Sequence, residues 1–179
     1  MNTLPKTNSN NWILVSGPRS IRLTMMILIA HLAERGPVRV VDSGLQFDGY
    51  LISRLLSLSG QVSMRGQIDL SRTSTCRQML AWLEKADALP ALYVMLDFLR
   101  PFYSGSISFD ERCRLLRCCI WHLDRLSQAA GGVISVHPPA ISTPEADQLL
   151  SIMKSSTCNL WVQHPPIPPL KPELHWALN

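Results

Sequence analysis

The sequence has few charged residues and no hydrophobic run long enough to cross a membrane. Charged residues make up 17% of the 179 residues, against about 25% in an average soluble domain. The longest apolar run, residues 23–33, is interrupted by Thr24 and His31, whereas a membrane-spanning helix needs roughly 20 apolar residues. Because 46% of the residues are hydrophobic, intrinsic disorder is excluded as well. We therefore expect one folded domain that covers part of its surface with a partner.

Cysteines are too irregularly spaced to form a disulfide framework or a zinc site. The chain has five of them, an odd number, and none belongs to a Cys-x-x-Cys pair. Most lie in apolar stretches, which is typical of small buried residues in a reducing compartment. Residues 1–10 are polar and lack the apolar core of a secretion signal. The sequence therefore predicts a cytoplasmic protein without a metal centre.

The positive charge of the chain is small and is carried mostly by arginine. Lysine and arginine number 17 against 13 aspartates and glutamates, which gives a formal net charge of +4, and 13 of the 17 are arginine. Arginine pairs with phosphate and carboxylate groups in a forked geometry and suits interfaces. A net charge of this size permits contact with nucleic acid but does not argue for it.

Apolar runs alternate with helical patterns along the chain. The predicted strands are residues 12–16, 38–42, 67–71, 91–97, 133–137 and 159–163, and the predicted helices are residues 20–35, 47–58, 75–86, 108–130 and 143–155. This alternation predicts an α/β fold with a doubly wound, mainly parallel sheet over residues 11–164. Residues 1–10 would form a flexible tail. Residues 165–179, which hold five of the 13 prolines, would form an extended one.

The segment after the first strand matches half of the phosphate-binding signature Gly-x-x-x-x-Gly-Lys-Ser/Thr. Gly17 and Thr24 match its ends, whereas Arg22 stands in place of the second glycine and Leu23 in place of the lysine. Two interpretations remain open. Arg19 or Arg22 could replace the lysine in a surviving phosphate site that also includes Ser20, or the loop is inactive and its arginines are solvated or face a partner.

Two further strand ends carry titratable groups. Asp97 ends an apolar strand, as does the aspartate that holds the magnesium of a bound nucleotide in phosphate-loop enzymes. It could instead cap the following turn. His137 ends the next strand and could sense a phosphate, or it is simply a loop residue. Asp97 and His137, together with Gly17, Arg19, Ser20, Arg22 and Thr24, make up a predicted degenerate nucleotide site. Asp97 would be a metal ligand there only if a magnesium nucleotide bound.

The order of these elements resembles the ATPase core of the RecA family, and especially its eukaryotic and archaeal recombinases and their paralogues. The resemblance extends from residue 12 to residue 162. Residues 40–43 with Phe47 and Asp48 are similar to the family segment in which a strand ends in aspartate before a phenylalanine-led helix. Residues 68–72 and 75–80 are similar to the family segment that comes after this helix. The resemblance implies a phosphate-loop NTPase fold with a degenerate phosphate loop.

The departures from the family bear directly on activity. The resemblance implies a catalytic glutamate after the second strand, where this chain has Gly44, and a phosphate-binding lysine where it has Leu23. Because phosphoryl transfer depends on positioned charge, we expect no ATP hydrolysis, no catalytic residues and no cofactor. Binding of ATP with magnesium is the alternative.

The regions that contact DNA in the family are also altered. The first would lie in residues 99–108, where Arg100, Phe102 and Tyr103 could contact a single strand, or the two aromatic residues could pack on the end of the sheet. The second would lie in residues 137–143 and is too short to wrap a strand. The arginines of the helix at residues 108–130 form either a solvated basic face or a surface for phosphates or an acidic partner.

We therefore expect a catalytically degenerate RecA-like protein that acts as an accessory or partner-binding protein in DNA recombination or repair. The alternative is a nucleotide-free interaction module, of the assembly-scaffold or cell-division-inhibitor type, with no DNA role. The expected partner is a recombinase-like or repair protein, or a second copy of the chain. Trp176 and Leu178 in the proline-rich tail are candidate anchors for it. DNA is a weaker candidate partner, and a membrane is not expected.

Overall fold

The computed structural model describes residues 12–17, 21–87, 91–127, 129, 131–139, 141–156 and 159–162. The strands are β1 Trp12–Ser16, β2 Val38–Asp42, β3 Ile68–Arg72, β4 Leu92–Leu96, β5 Gly132–Val136 and β6 Asn159–Val162. The helices are α1 Ile21–Ala33, α2 Gly49–Leu58, α3 Cys76–Lys85, α4 Phe109–Ser127 and α5 Pro144–Ser155. Two 3₁₀ helices, Val62–Gln67 and Arg100–Tyr103, are not predicted from the sequence.

The six strands form one parallel sheet in the order β3-β2-β4-β5-β1-β6. β1 lies inside the sheet, between β5 and β6, and all five of its residues are buried. The doubly wound, parallel α/β fold predicted from the sequence is therefore confirmed. Because every strand points the same way, the carboxyl ends of β2, β4 and β5 meet at one edge, where ligands bind in folds of this kind.

Helices cover both faces of the sheet, which explains the continuous apolar runs of the strands. Alternate residues of β4 face opposite sides: Tyr93 and Met95 pack with α3, α4 and α5, whereas Val94 and Leu96 pack with α1 and α2. Trp12 anchors β1 to the first of these layers, because its indole Nε1 donates a 2.7 Å hydrogen bond to the carbonyl of Leu123 in α4. Among the described residues, no helix combines the length and the apolar character needed to span a bilayer.

Side-chain caps fix where the helices begin. Thr75 and Thr143 accept hydrogen bonds from the backbone N–H of Gln78 and Ala146, so α3 and α5 begin one residue after each threonine. Asp48 caps α2 in the same way through the N–H of Leu51. For this reason α2 begins at Gly49 and not at residue 47 as predicted.

The arginines of α4 are not a uniformly solvated basic face, which corrects that prediction. Arg112 is 5% exposed; its Nη1 donates a 3.1 Å hydrogen bond to the carbonyl of Phe102, and its Nη2 pairs with Glu145. Arg125 donates to the carbonyls of Leu83 and Ala86. Arginine therefore ties α4 to its neighbours as well as carrying surface charge.

Three of the cysteines are small core residues, as predicted. Cys76, Cys113 and Cys119 are buried, and burial raises the pKa of each thiol above its usual value. Cys118 is half-buried, and the four cysteines within the described residues are free. Cys158 lies outside those residues. The raised pKa values keep these buried thiols protonated and unreactive.

Candidate functional site at the carboxyl edge of the sheet

The structure brings several of the predicted site residues together in one cleft at the carboxyl edge of the sheet. The cleft has a volume of about 740 Å³ and is lined by Arg22, residues 44–46, Asp97, Arg100, Tyr103 and residues 137–139. Gly17 and Thr24 are not among the lining residues. Four other candidates, Arg19, Ser20, Trp176 and Leu178, lie outside the described residues.

Asp97 follows the last residue of β4 and turns the chain sharply. Its φ of 52° lies in the left-handed region, which aspartate tolerates better than most residues. The backbone N–H of Asp97 donates a 3.0 Å hydrogen bond to Ser135 Oγ, and the N–H of Phe98 donates to the carbonyl of Ser135. β5 therefore fixes Asp97 at the end of β4, and Asp97 is 5% exposed.

His137 occupies one side of the Asp97 carboxylate. The distance from His137 Nδ1 to Asp97 Oδ1 is 3.2 Å, and each side chain is 8% exposed. The two atoms are within ion-pair distance but are not aligned for a hydrogen bond. His137 Nε2 also has no hydrogen-bond partner among the described residues. His137 is therefore packed against Asp97, the residue that the strand-end pattern likens to a magnesium ligand.

Gly44 closes the other side of that carboxylate. A Cβ placed on Gly44 would lie 2.7 Å from Asp97 Cβ and 2.8 Å from Asp97 Cγ, and would be closer still to Oδ2. Carbon atoms in folded proteins do not approach so closely, because a van der Waals contact needs about 3.5–4.0 Å. Position 44 therefore accepts no side chain while Asp97 keeps this conformation.

Asp42, at the end of β2, organises the loop that carries Gly44. Its Oδ1 accepts hydrogen bonds from the backbone N–H groups of Gly44 at 3.2 Å and Gln46 at 2.9 Å. Its Oδ2 accepts one from Phe47 at 2.9 Å. This role of Asp42 was not predicted from the sequence, although an aspartate that binds nearby backbone N–H groups is a known turn signal.

Arg22 and Leu23 occupy the places where the phosphate-loop signature has its second glycine and its lysine. Arg22 donates from Nε to the carbonyl of Gln46 at 2.8 Å and from Nη2 to Asp48 Oδ2 at 3.2 Å. Leu23 is 53% exposed. In this structure Arg22 therefore joins the start of α1 to the N-cap of α2, and Leu23 supplies no charge.

The three candidate DNA-contact residues differ in exposure. Arg100 is exposed, whereas Phe102 is fully buried and stacks on Phe98 with ring centroids 5.9 Å apart. Tyr103 is half-buried. Phe102 therefore packs beneath the end of the sheet, which agrees with the packing alternative, and its ring is not accessible to a base.

A second cleft lies beside the first, beyond the ends of β2, β3 and β4. Its volume is about 680 Å³, and Gly44, Leu45, Arg100 and Tyr103 line both clefts. Arg72, the last residue of β3, also lines it. Arg72 is not among the site residues predicted from the sequence. The available signal was a basic residue at the carboxyl end of a strand, which is where ligands bind in parallel sheets.

Comparison with known proteins identifies the fold. No protein-family model and no curated protein matches the chain. The crystal structure of the RadB recombinase matches it with a TM-score of 0.60 and 13% sequence identity, over 86% of this chain and 74% of that chain. The fold is RecA-like. The likeness to recombinases predicted from the sequence is thus confirmed at the level of the fold.

Two positions of the described residues differ from those of a catalytic magnesium-nucleotide site. Position 23 has no lysine, and position 44 has no room for an acid beside Asp97. The carboxylate of Asp97 is enclosed between His137 and Gly44. Within the part of the chain that the structure describes, no group of three or more His, Cys, Asp or Glu side chains could hold a metal ion.

Proposed function

We propose that this chain is a RecA-like domain that does not hydrolyse ATP and that acts as an accessory, partner-binding protein in DNA recombination or repair. The contact between Gly44 and Asp97 carries this proposal. It supports the loss of the catalytic base, because a glutamate at position 44 would require Asp97 to move. A water molecule that attacks a phosphate needs such a group to orient it.

The charges around the candidate nucleotide site support the same proposal. Arg22 is held by Asp48 and by the carbonyl of Gln46, and Leu23 cannot replace a lysine. Phosphoryl transfer is accelerated mainly by charges fixed in position around the phosphates. A site that lacks both the lysine and the base has lost two of these elements.

Exposed apolar side chains on α1 and α2 support a protein partner. Leu23 and Ile27 lie on successive turns of α1 and are 53% and 40% exposed. Tyr50 and Leu58 on α2 are 80% and 78% exposed. α1 is apolar around its circumference, a pattern typical of helices that are covered on all sides. The partner that would cover these exposed side chains of α1 and α2 is a recombinase-like protein, a repair protein or a second copy of the chain.

A second candidate function is a nucleotide-free interaction module without a DNA role. The burial of Phe102 and of Arg112 favours it, because both residues were candidates for contact with nucleic acid. Stacking on aromatic rings is a main source of affinity for single strands. At this edge of the sheet a single strand could not stack on Phe102.

Binding of single-stranded DNA at several salt concentrations separates the two candidates. An accessory protein of recombination should bind an oligo-dT probe in fluorescence anisotropy, and the logarithm of its affinity should fall by about 0.7 per neutralised phosphate for each unit of log salt. Arg100→Gln should make this slope shallower. Arg35→Gln is the matched control, because Arg35 follows α1 at the opposite edge of the sheet and carries the same charge. Absence of binding at low salt would reject the DNA role and leave the second candidate.

A further inference from the structure

The cleft beyond β2, β3 and β4 has two arginines that are free to bind a ligand. Arg72 and Arg100 both line it and are exposed. Neither guanidinium forms a hydrogen bond or an ion pair with any residue that the structure describes. Each guanidinium offers five N–H donors in a fixed fork. Two such groups facing one cleft form a site for an anion.

The acidic residue of the cleft does not cancel this charge. Asp42 lines the cleft, but its two carboxylate oxygens accept the three backbone N–H bonds of Gly44, Gln46 and Phe47. Hydrogen bonds of this kind compensate the charge of a carboxylate locally. Asp42 is also 1% exposed. The surface that a ligand would meet is therefore positive.

The hydroxyl of Tyr103 is enclosed by protein and is not part of the surface that a ligand in the cleft would meet. Its oxygen is buried and has no hydrogen-bond partner among the described residues, although buried polar atoms are nearly always paired. Burial, with smaller effects of Asp97 and Asp147, raises the pKa of Tyr103 above its usual value. The hydroxyl therefore stays protonated, and it does not contribute to the anion site.

We infer that this cleft binds a phosphate group. A phosphate monoester carries close to two negative charges at neutral pH and three acceptor oxygens, which match the two guanidinium groups. A carboxylate has only one charge. The site differs from the degenerate nucleotide site, because Arg22, Asp97 and His137 line the neighbouring cleft and not this one. The inference does not depend on the proposed function, since the cleft could bind phosphate whether or not ATP is hydrolysed.

The phosphate could belong to a small ligand or to the backbone of a strand. A volume of about 680 Å³ falls in the range of small-molecule sites, about 300–1,000 Å³. The ring of Phe102 is buried and offers no surface for a base. These two observations favour a small phosphorylated ligand.

Calorimetric titration of the whole chain with inorganic pyrophosphate, and separately with an oligo-dT strand, tests the inference. Arg72→Gln and Arg100→Gln should each weaken binding by roughly 10-fold or more, because each removes a charge-assisted contact. Tyr103→Phe, which removes only the enclosed hydroxyl, should leave binding unchanged. Arg35→Gln, which removes the same charge from the opposite edge of the sheet, should leave it unchanged. Thermal midpoints of all variants establish that they fold.

Each outcome of these titrations either supports or overturns the proposed phosphate site. Pyrophosphate binding that depends on Arg72 and Arg100 supports the site and assigns it to small phosphates. Binding of the oligonucleotide alone, with the same dependence, supports the phosphate site and assigns it to a strand. If neither probe binds, if citrate at equal ionic strength binds as tightly as pyrophosphate, or if Arg35→Gln weakens binding as much as Arg72→Gln, the inference is wrong.

Discussion

Gly44 and Asp97 contact each other so closely that residue 44 can carry no side chain while Asp97 keeps its place. The two residues follow the neighbouring strands β2 and β4, and a Cβ on Gly44 would lie 2.7 Å from Asp97 Cβ. The resemblance to RecA-like ATPases assigns a glutamate to position 44. In this chain that position is therefore closed by Asp97, the residue whose place at the end of an apolar strand matches that of a magnesium ligand in phosphate-loop enzymes.

Substitution of Gly44 by alanine should destabilise the protein. Added atoms in a well-packed site cost about 1–3 kcal/mol, so Gly44→Ala should lower the free energy of unfolding measured in urea by about that amount. Gly66→Ala is the matched control, because a Cβ there meets no atom within 4 Å.

A double-mutant cycle attributes this loss to Asp97. Asp97→Gly removes the three atoms nearest to the new Cβ, and glycine readily adopts a φ of 52°. Gly44→Ala should therefore cost much less in the Asp97→Gly background than in the wild type. An equal cost in both backgrounds would contradict the contact.

Arg112 and Arg114 should differ sharply in their importance for stability, although they lie two residues apart on α4. Arg112→Gln leaves the buried carbonyl of Phe102 without its donor and Glu145 without its partner, at a cost of about 1–3 kcal/mol in urea denaturation. Arg114 lies on the exposed side and pairs only with Glu111, so Arg114→Gln should leave the midpoint nearly unchanged. Equal effects of the two substitutions would show that Arg112 is not buried as described.

Local patterns in the sequence predict the elements of this fold well. The strands at Trp12–Ser16 and Val38–Asp42 have the predicted bounds, because a short apolar run between turn residues indicates a strand without reference to the rest of the chain. Ser108 and Thr143 stand at the starts of two predicted helices, and both accept the backbone hydrogen bonds expected of an N-cap. Such capping contacts involve residues three positions apart, so they are visible in the sequence.

Contacts between distant residues could not be predicted in the same way. The burial of Arg112 depends on Phe102, which lies in the second 3₁₀ helix, and on Glu145, which lies in α5. The pairing of His137 with Asp97, and the cleft shared by Arg72 and Arg100, depend on the order of strands in the sheet. The sequence places Asp97 and His137 at the ends of predicted strands, but it does not place them beside each other.

Steady-state ATP hydrolysis with and without magnesium, compared between the wild type and Asp97→Ala, tests the central claim most directly. We expect that the wild type shows no magnesium-dependent turnover above background and does not differ from Asp97→Ala. Robust magnesium-dependent turnover that Asp97→Ala abolishes would show that the site is catalytic despite Leu23 and Gly44, and would contradict the account.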